Sequence, residues 1–121
     1  MSSFSDPELR YLTSERRLGR LATVDPKGRL HVVPIGMWRF NPALRTIDIG
    51  GHNFAATKKF RNVSATSRAA FVVDDLASVD PWRPRSVMIE GSAQALQGSA
   101  ETNGEAIIRI TPETIVSWGL E

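Results

Sequence analysis

Six or seven short strand-like runs, two short helical stretches and connections that are nearly all local predict a small antiparallel β-barrel, because closing the sheet removes the edges a flat one leaves exposed. Turn signals at Asp25-Pro26-Lys27-Gly28 and Asn41-Pro42 separate β-rich segments. Residues 87–96 alternate two faces over a full strand length, and a helical period replaces that alternation only near residues 6–12 and 53–61. At 121 residues the chain has the size of one domain, read as spanning 1–121, and can bury about two-thirds of its unfolded surface around one core.

Asp6-Pro7-Glu8 opens the first helix, with an acceptor at the cap, proline at the first helical position and an acid beside the positive end. Leu9 and Leu12 share its apolar face. Residues 18–24 then form a strand, and the turn at 25–28 joins it to a second run, 30–40, as a hairpin. That run carries Pro34, which cannot donate to a ladder, and Gly36, which has no side chain to pack, so it is either bulged or an exposed edge. Residues 46–49 make a third strand ending in Gly50-Gly51, and the three are expected to form an antiparallel meander. From Asn53 the period changes: Phe54, Thr57, Lys58 and Arg61 fall at i, i+3, i+4 and i+7, which predicts a helix of two or three turns capped by Asn53. Residues 69–73 read as a compact buried strand and 80–85 as a loop. Residues 87–96 form a long strand with a small-residue face that includes Gly91, Ala93 and Ala95. The polar stretch 97–105 is a loop, and 106–110 with 114–118 supply the last extended segments.

Composition excludes several function classes. Hydrophobic residues at 41% against 23% charged describe a folded globular chain rather than a disordered one. The absence of cysteine removes disulfides, thiolate metal sites and a cysteine nucleophile together. His31 and His52 are the two histidines, and without a spaced acid cluster they make no metal signature. The net charge of +2 is too small to indicate a nucleic-acid partner, and no apolar run approaches the roughly 20 residues of a membrane span. The opening MSSFSDPELR lacks the apolar core of a signal peptide, so a cytoplasmic protein is expected. Fingerprints of serine hydrolases, P-loops and Rossmann dinucleotide sites are missing.

Two stretches carry candidate chemistry. In GGHNFAATKKFRNV, a hydroxyl (Thr57) and cations (Lys58, Lys59, Arg61) gather near a helix N-terminus, behind glycines that let backbone approach a ligand. That arrangement suits a phosphate or carboxylate, and it equally suits a solvated basic face. His52, beside Gly51, is either a ligand contact or an exposed turn residue. The interrupted strand around Pro34 and Gly36 either bends the barrel or leaves free N–H and C=O groups for the polar edge of a flat heterocycle. Trp38 and Trp118 fit core packing better than stacking platforms for nucleic acid. Trp82 differs, because a large ring in the loop DPWRPR needs a partner subunit or a ligand to cover it.

The segments RLATVDPKGRLHVVPIGMWRF, TKKFRNV and RSVMIEGSAQAL, in that order, resemble the pyridoxamine 5′-phosphate oxidase-like split-barrel superfamily, in particular its actinobacterial coenzyme F420-dependent members; the ending IRITPETIVSWGLE is similar to the same subgroup. The resemblance runs from about Leu18 onward. It implies a six-stranded antiparallel split β-barrel with two or three short helices, forming a homodimer with two equivalent cofactor sites between subunits. The implied cofactor is coenzyme F420, with FMN as the alternative. Val32, Val33, Pro34, Ile35 and Gly36 are then expected along the ring system, Thr57 and Lys59 on the phosphate, and Lys58 and Arg61 beside them. The double lysine leaves the register ambiguous by one residue. Trp82, Arg83 and Arg85 are expected to reach over the partner's cleft. The chain has no additional C-terminal segment like the one pyridoxamine phosphate oxidase uses on its substrate, so that oxidase activity is not expected.

The activity so implied is hydride transfer from the reduced deazaflavin to a small unsaturated acceptor. No catalytic acid or base stands out, which is compatible with protonation from solvent. An FMN enzyme of the same fold, a cofactor carrier without turnover, and an OB-like nucleic-acid binder are the alternatives.

Overall fold

The computed structural model describes residues 3–120. Its elements are α1 (Asp6–Ser14), β1 (Gly19–Val24), β2 (Leu30–Ile35), β3 (Trp38–Asn41), β4 (Thr46–Ile49), α2 (Lys58–Thr66), β5 (Arg68–Ser78), β6 (Arg83–Leu96) and β7 (Ile107–Trp118), with single 3-10 turns at Phe54–Ala56 and Ala100–Thr102. The strands form one antiparallel sheet in the order β2-β1-β5-β6-β7-β4-β3. β2 and β3 end that order, yet only Gly36 and Met37 separate them along the chain. Such a link reaches about 10 Å, whereas seven flat strands hold their outer members roughly 29 Å apart. The sheet therefore has to roll until its ends meet, and the seam between β2 and β3 is the split of a split barrel.

Arg16 holds that seam. Its Nη2 donates to the Gly36 carbonyl at 2.8 Å, and Trp38 Nε1 donates back to the Arg17 carbonyl at 2.7 Å. The expected meander of three strands is corrected here: β1 pairs with β2 and β3 with β4, but β2 and β3 are not ladder neighbours. The run 30–40 breaks at Gly36-Met37, which makes the count seven strands rather than six. Pro34 sits on the edge strand β2, whose register with β1 is unbroken, so the edge reading holds and the bulge reading does not.

Alternation fixes which side of the sheet is the core. Cross-strand partners Val33, Leu21, Phe71, Ile89 and Ile115 form one inward row, of which Leu21, Phe71 and Ile89 are fully buried. Ile47, Ile49, Ile108 and Ile110 complete the wall from β4 and β7. The small-residue face of the long strand is indeed interior: Ala93 is buried, and a Cβ on Gly91 would lie 2.0 Å from the Thr111 carbonyl oxygen. That close approach coincides with the register shift between Glu90 and Gly91, a bulge that lets β7 continue unbroken where two segments were expected. Gly28 closes the first hairpin with φ of +81°, the left-handed region open to glycine.

Helix starts differ from the sequence expectation by a few residues, for one physical reason. Ser5 caps α1, not Asp6: its hydroxyl accepts from Glu8 N–H at 3.3 Å while Glu8 accepts from Ser5 N–H at 2.8 Å, a reciprocal capping box. Thr57 caps α2, not Asn53, because its hydroxyl reaches the Phe60 N–H at 3.3 Å whereas the Asn53 side chain makes no capping bond. The predicted loop 80–85 shrinks to a tight turn between Ser78 and Arg83, and β5 and β6 run on as a long hairpin.

Candidate functional site

The start of α2 is the most basic helix end in the fold. Phe54 and Phe60, both buried, pack edge to face at 5.9 Å and fix where the helix begins. Thr57 Oγ1 donates to the Phe54 carbonyl at 2.6 Å and accepts from Phe60 N–H. Thr57 Oγ1 is thus engaged inside the chain, where it builds the helix start. Arg61 likewise turns back, donating from Nη1 to the Ala56 carbonyl at 2.9 Å. Lys58 is exposed, and Lys59, half-buried, lays its ammonium 5.3 Å from the Phe54 ring centre. Neither lysine has an ion-pair partner among the described residues. Their backbone N–H groups occupy the first two helical positions, which lack intrahelical acceptors. The start of α2 thus carries two lysines without ion-pair partners among the described residues and two amides without intrahelical acceptors. Gly51 and His52 lie just before it, lining a recess of about 360 Å³ with Met37 and Phe54. His52 is exposed.

The strand expected along a ring system is β2. Val32 and Pro34 face outward, Val33 and Ile35 inward, and Gly36 lies beyond the strand in the bend at the seam. Val32 continues an outer row through Ala22, Ala70, Glu90 and Thr114, and Pro34 a second row through Arg20, Val72, Met88 and Val116. This face is unusually apolar for a surface: Leu30 is 84% exposed, Val32 68%, Trp118 48% and Val116 45%. A hollow of about 650 Å³ opens on it, lined by Ala22, Leu30, Arg68, Ala70, Glu90 and Thr114 among others. Helix α2 reaches the same end of the sheet, since Asn62 Nδ2 donates to Thr23 Oγ1 at 3.0 Å and Thr66 Oγ1 to the Val24 carbonyl at 3.1 Å. The 650 Å³ hollow takes Leu30 of β2 but none of Thr57, Lys58 and Lys59, and the 360 Å³ recess before α2 takes no residue of β2.

Trp82 stands 67% exposed at the tip of the β5–β6 hairpin, with Val79 beside it at 68%. Arg83 has no hydrogen-bond or ion-pair partner among the described residues. Arg85 is committed within its own chain: Nε and Nη2 grip both oxygens of Asp75 at 2.9 and 2.6 Å. Asp75 also accepts from Arg17 Nε at 3.0 Å and from the Tyr11 hydroxyl at 2.8 Å. Burial works to raise the Asp75 carboxyl, but the bonds from Arg85, Arg17 and Tyr11 outweigh it and bring it from an ordinary 3.8 down to about 2. Tyr11 moves the other way, held up by burial and by its bond to the charged Asp75. A phenol so placed is a strut between α1 and the hairpin, not a proton donor.

Sequence reading missed a second network, at the opposite wall. Asp48 and Arg109 are direct cross-strand partners on β4 and β7, joined by two bonds of 3.0 Å. Asn41 Nδ2 and Thr46 Oγ1 donate to the same carboxylate at 3.0 and 2.9 Å, and Arg109 also reaches Glu101 at 2.7 Å. Burial pushes the Asp48 carboxyl up and is again outweighed by these donors, so it stays below the usual range. A signal was present: Thr-Ile-Asp-Ile and Ile-Ile-Arg-Ile each set one charge, of opposite sign, into an otherwise apolar strand.

A rolled antiparallel sheet split between β2 and β3, with a basic helix start and an uncovered apolar sheet face, defines a split-barrel domain. The chain belongs to the pyridoxamine 5′-phosphate oxidase family, whose model matches residues 5–119. It is 42% identical over 122 residues to a 5a,11a-dehydrotetracycline/5a,11a-dehydrooxytetracycline reductase of Streptomyces rimosus, covering 98% of this chain and 84% of that protein. Similar folds at lower identity include a FAD-binding protein from Mesorhizobium loti (TM-score 0.68, 18% identity, 96% of this chain and 95% of that one) and a protein described as an F420 reductase (TM-score 0.67, 17% identity, 88% and 94%). No helix among the described residues is long and apolar enough to cross a membrane, and no group of three or more His, Cys, Asp or Glu is placed to hold a metal ion.

Proposed function

We propose that the chain is a homodimeric oxidoreductase that binds coenzyme F420 between subunits and reduces a small conjugated acceptor. The observation that carries this reading is the start of α2, where two lysines without ion-pair partners and two amides without acceptors suit a phosphodiester, the chemistry that a deazaflavin's phosphate presents. The relative named as a dehydrotetracycline reductase supports both the reductive direction and an unsaturated acceptor.

In this reading Lys58 and Lys59 hold the phosphate, Thr57 and Arg61 keep the helix start in shape, and Gly51 and His52 border the approach. The edge of β2 from Val32 to Gly36 offers backbone N–H and C=O groups, with Pro34 marking where no N–H is available. The apolar rows around Leu30, Val32 and Val116 are covered by a second copy, which encloses the ring and excludes water. Trp82 closes over the partner's cleft. Arg85 is released from that part by its grip on Asp75. When bound, the reduced deazaflavin supplies a hydride. The accompanying proton reaches the acceptor from solvent, since no side chain at this place is poised to give one.

The test is fluorescence titration of coenzyme F420 into Lys58→Ala, Lys59→Ala and the double variant. The double variant is expected to bind at least tenfold more weakly than wild type with an unchanged melting temperature. Equal affinity in all three would remove the phosphate from α2. Tighter binding of FMN than of F420 would make this a flavin enzyme, and tight F420 binding with no turnover of any conjugated acceptor would make it a carrier.

A further inference from the structure

A recess of about 540 Å³ opens where α1, the β5–β6 hairpin and the residues after β7 meet. Four arginines line it, Arg10 from α1, Arg17 from the link after α1, and Arg83 and Arg85 from β6, and among the described residues no carboxylate does. Asp75 lies behind Arg17 and Arg85 and is fully used by them and by Tyr11. Four positive charges against that one acid leave an excess of three, and Glu15, 3.8 Å from Arg17 and 71% exposed, is too loosely held to neutralise another. The whole chain, by comparison, carries a net charge of only +2.

The four groups are not equivalent. Arg17 and Arg85 are fixed, each bonded to Asp75 and set over the Tyr11 ring at 4.0 and 5.3 Å. Their Nε groups and one terminal nitrogen of each are taken, so what they offer an oxyanion is Arg85 Nη1 and Arg17 Nη2, already held in place with little ordering left to do. Arg10 and Arg83 line the recess with no hydrogen-bond or ion-pair partner among the described residues. Pro84 and Leu120 add apolar wall. The lining of this recess includes none of Thr57, Lys58, Lys59 and Arg61, so it is separate from the recess before α2.

We propose that this recess is a second ligand site, which binds a compact oxyanion carrying two or more negative charges, a polycarboxylate or a phosphoryl compound. Its test is calorimetric titration of the full chain at low salt with citrate and with inorganic pyrophosphate. The proteins compared are wild type, the Arg10→Ala/Arg83→Ala double variant, and the Lys58→Ala/Lys59→Ala double variant as control, each with its melting temperature measured. The arginine pair is expected to remove, without loss of fold, an anion-binding event that the lysine pair retains. Whichever of citrate and pyrophosphate binds more tightly identifies the class. The proposal is overturned if neither anion binds wild type at millimolar concentration, if the arginine variant binds as wild type does, or if only the lysine variant loses binding. The reading of α2 as a cofactor phosphate site stands or falls separately, on F420.

Discussion

Single side chains in this barrel do more than their positions in the sequence suggest. Asp75 follows another aspartate just past a strand that reads as ordinary, yet it gathers Tyr11 of α1, Arg17 of the link after it and Arg85 of β6. That gathering could not be read from residue order, because its members lie up to 64 positions apart. Its consequence is a pH dependence. With the folded Asp75 at about 2 against an ordinary 3.8, the unfolded chain takes up the proton first as pH falls, so the stabilisation is complete above about 4 and is lost between about 4 and 2. Asp48, also lowered, acts in the same direction. Thermal melts across pH 6 to 2 are expected to show this acid loss in wild type and a smaller one in Asp75→Asn; equal acid losses in both would contradict the assignment. Thr57 teaches a related lesson: hydroxyl, lysines and spacing were all legible, but not that the hydroxyl proton belongs to Phe54.

Strands and helices were legible where an amphipathic period ran unbroken, as in β6, and misplaced where a tertiary contact set the boundary. The run 30–40 reads as one strand because nothing local requires Gly36-Met37 to be a seam; only the pairing of β2 with β1 and of β3 with β4 does. The ladder between β4 and β7 that carries the far wall is short and is reinforced by Asp48 and Arg109, whose side chains are 6% and 11% exposed. Replacing Arg109 by methionine leaves the buried Asp48 carboxylate with only the exposed Arg39, 4.0 Å away, as a charged partner, which is expected to cost about 3 kcal/mol in denaturant unfolding. Adding Asp48→Asn to that variant is expected to recover part of the loss. A cost below about 1 kcal/mol would mean that the pair is solvated and that β4 is held by its apolar neighbours alone.

For the molecule as a whole, the split barrel followed from strand count, local turns and resemblance, and the two-residue link across the sheet's ends supplies its physical necessity. How the β2 edge and the α2 start would meet around a cofactor was not legible in the same way, since the hollow on β2 and the recess before α2 share no residue. If a second copy covers Leu30 and Val32, then Leu30→Asp with Val32→Asp is expected to give a folded monomer by light scattering that no longer binds F420; a variant that stays dimeric would place the interface elsewhere. The account turns on whether this barrel holds a deazaflavin, and the most direct measurement is equilibrium titration of wild-type protein with coenzyme F420 and, in parallel, FMN at one fixed salt concentration. It predicts micromolar or tighter binding of F420 and markedly weaker binding of FMN. Binding of neither, or preference for FMN, would contradict it.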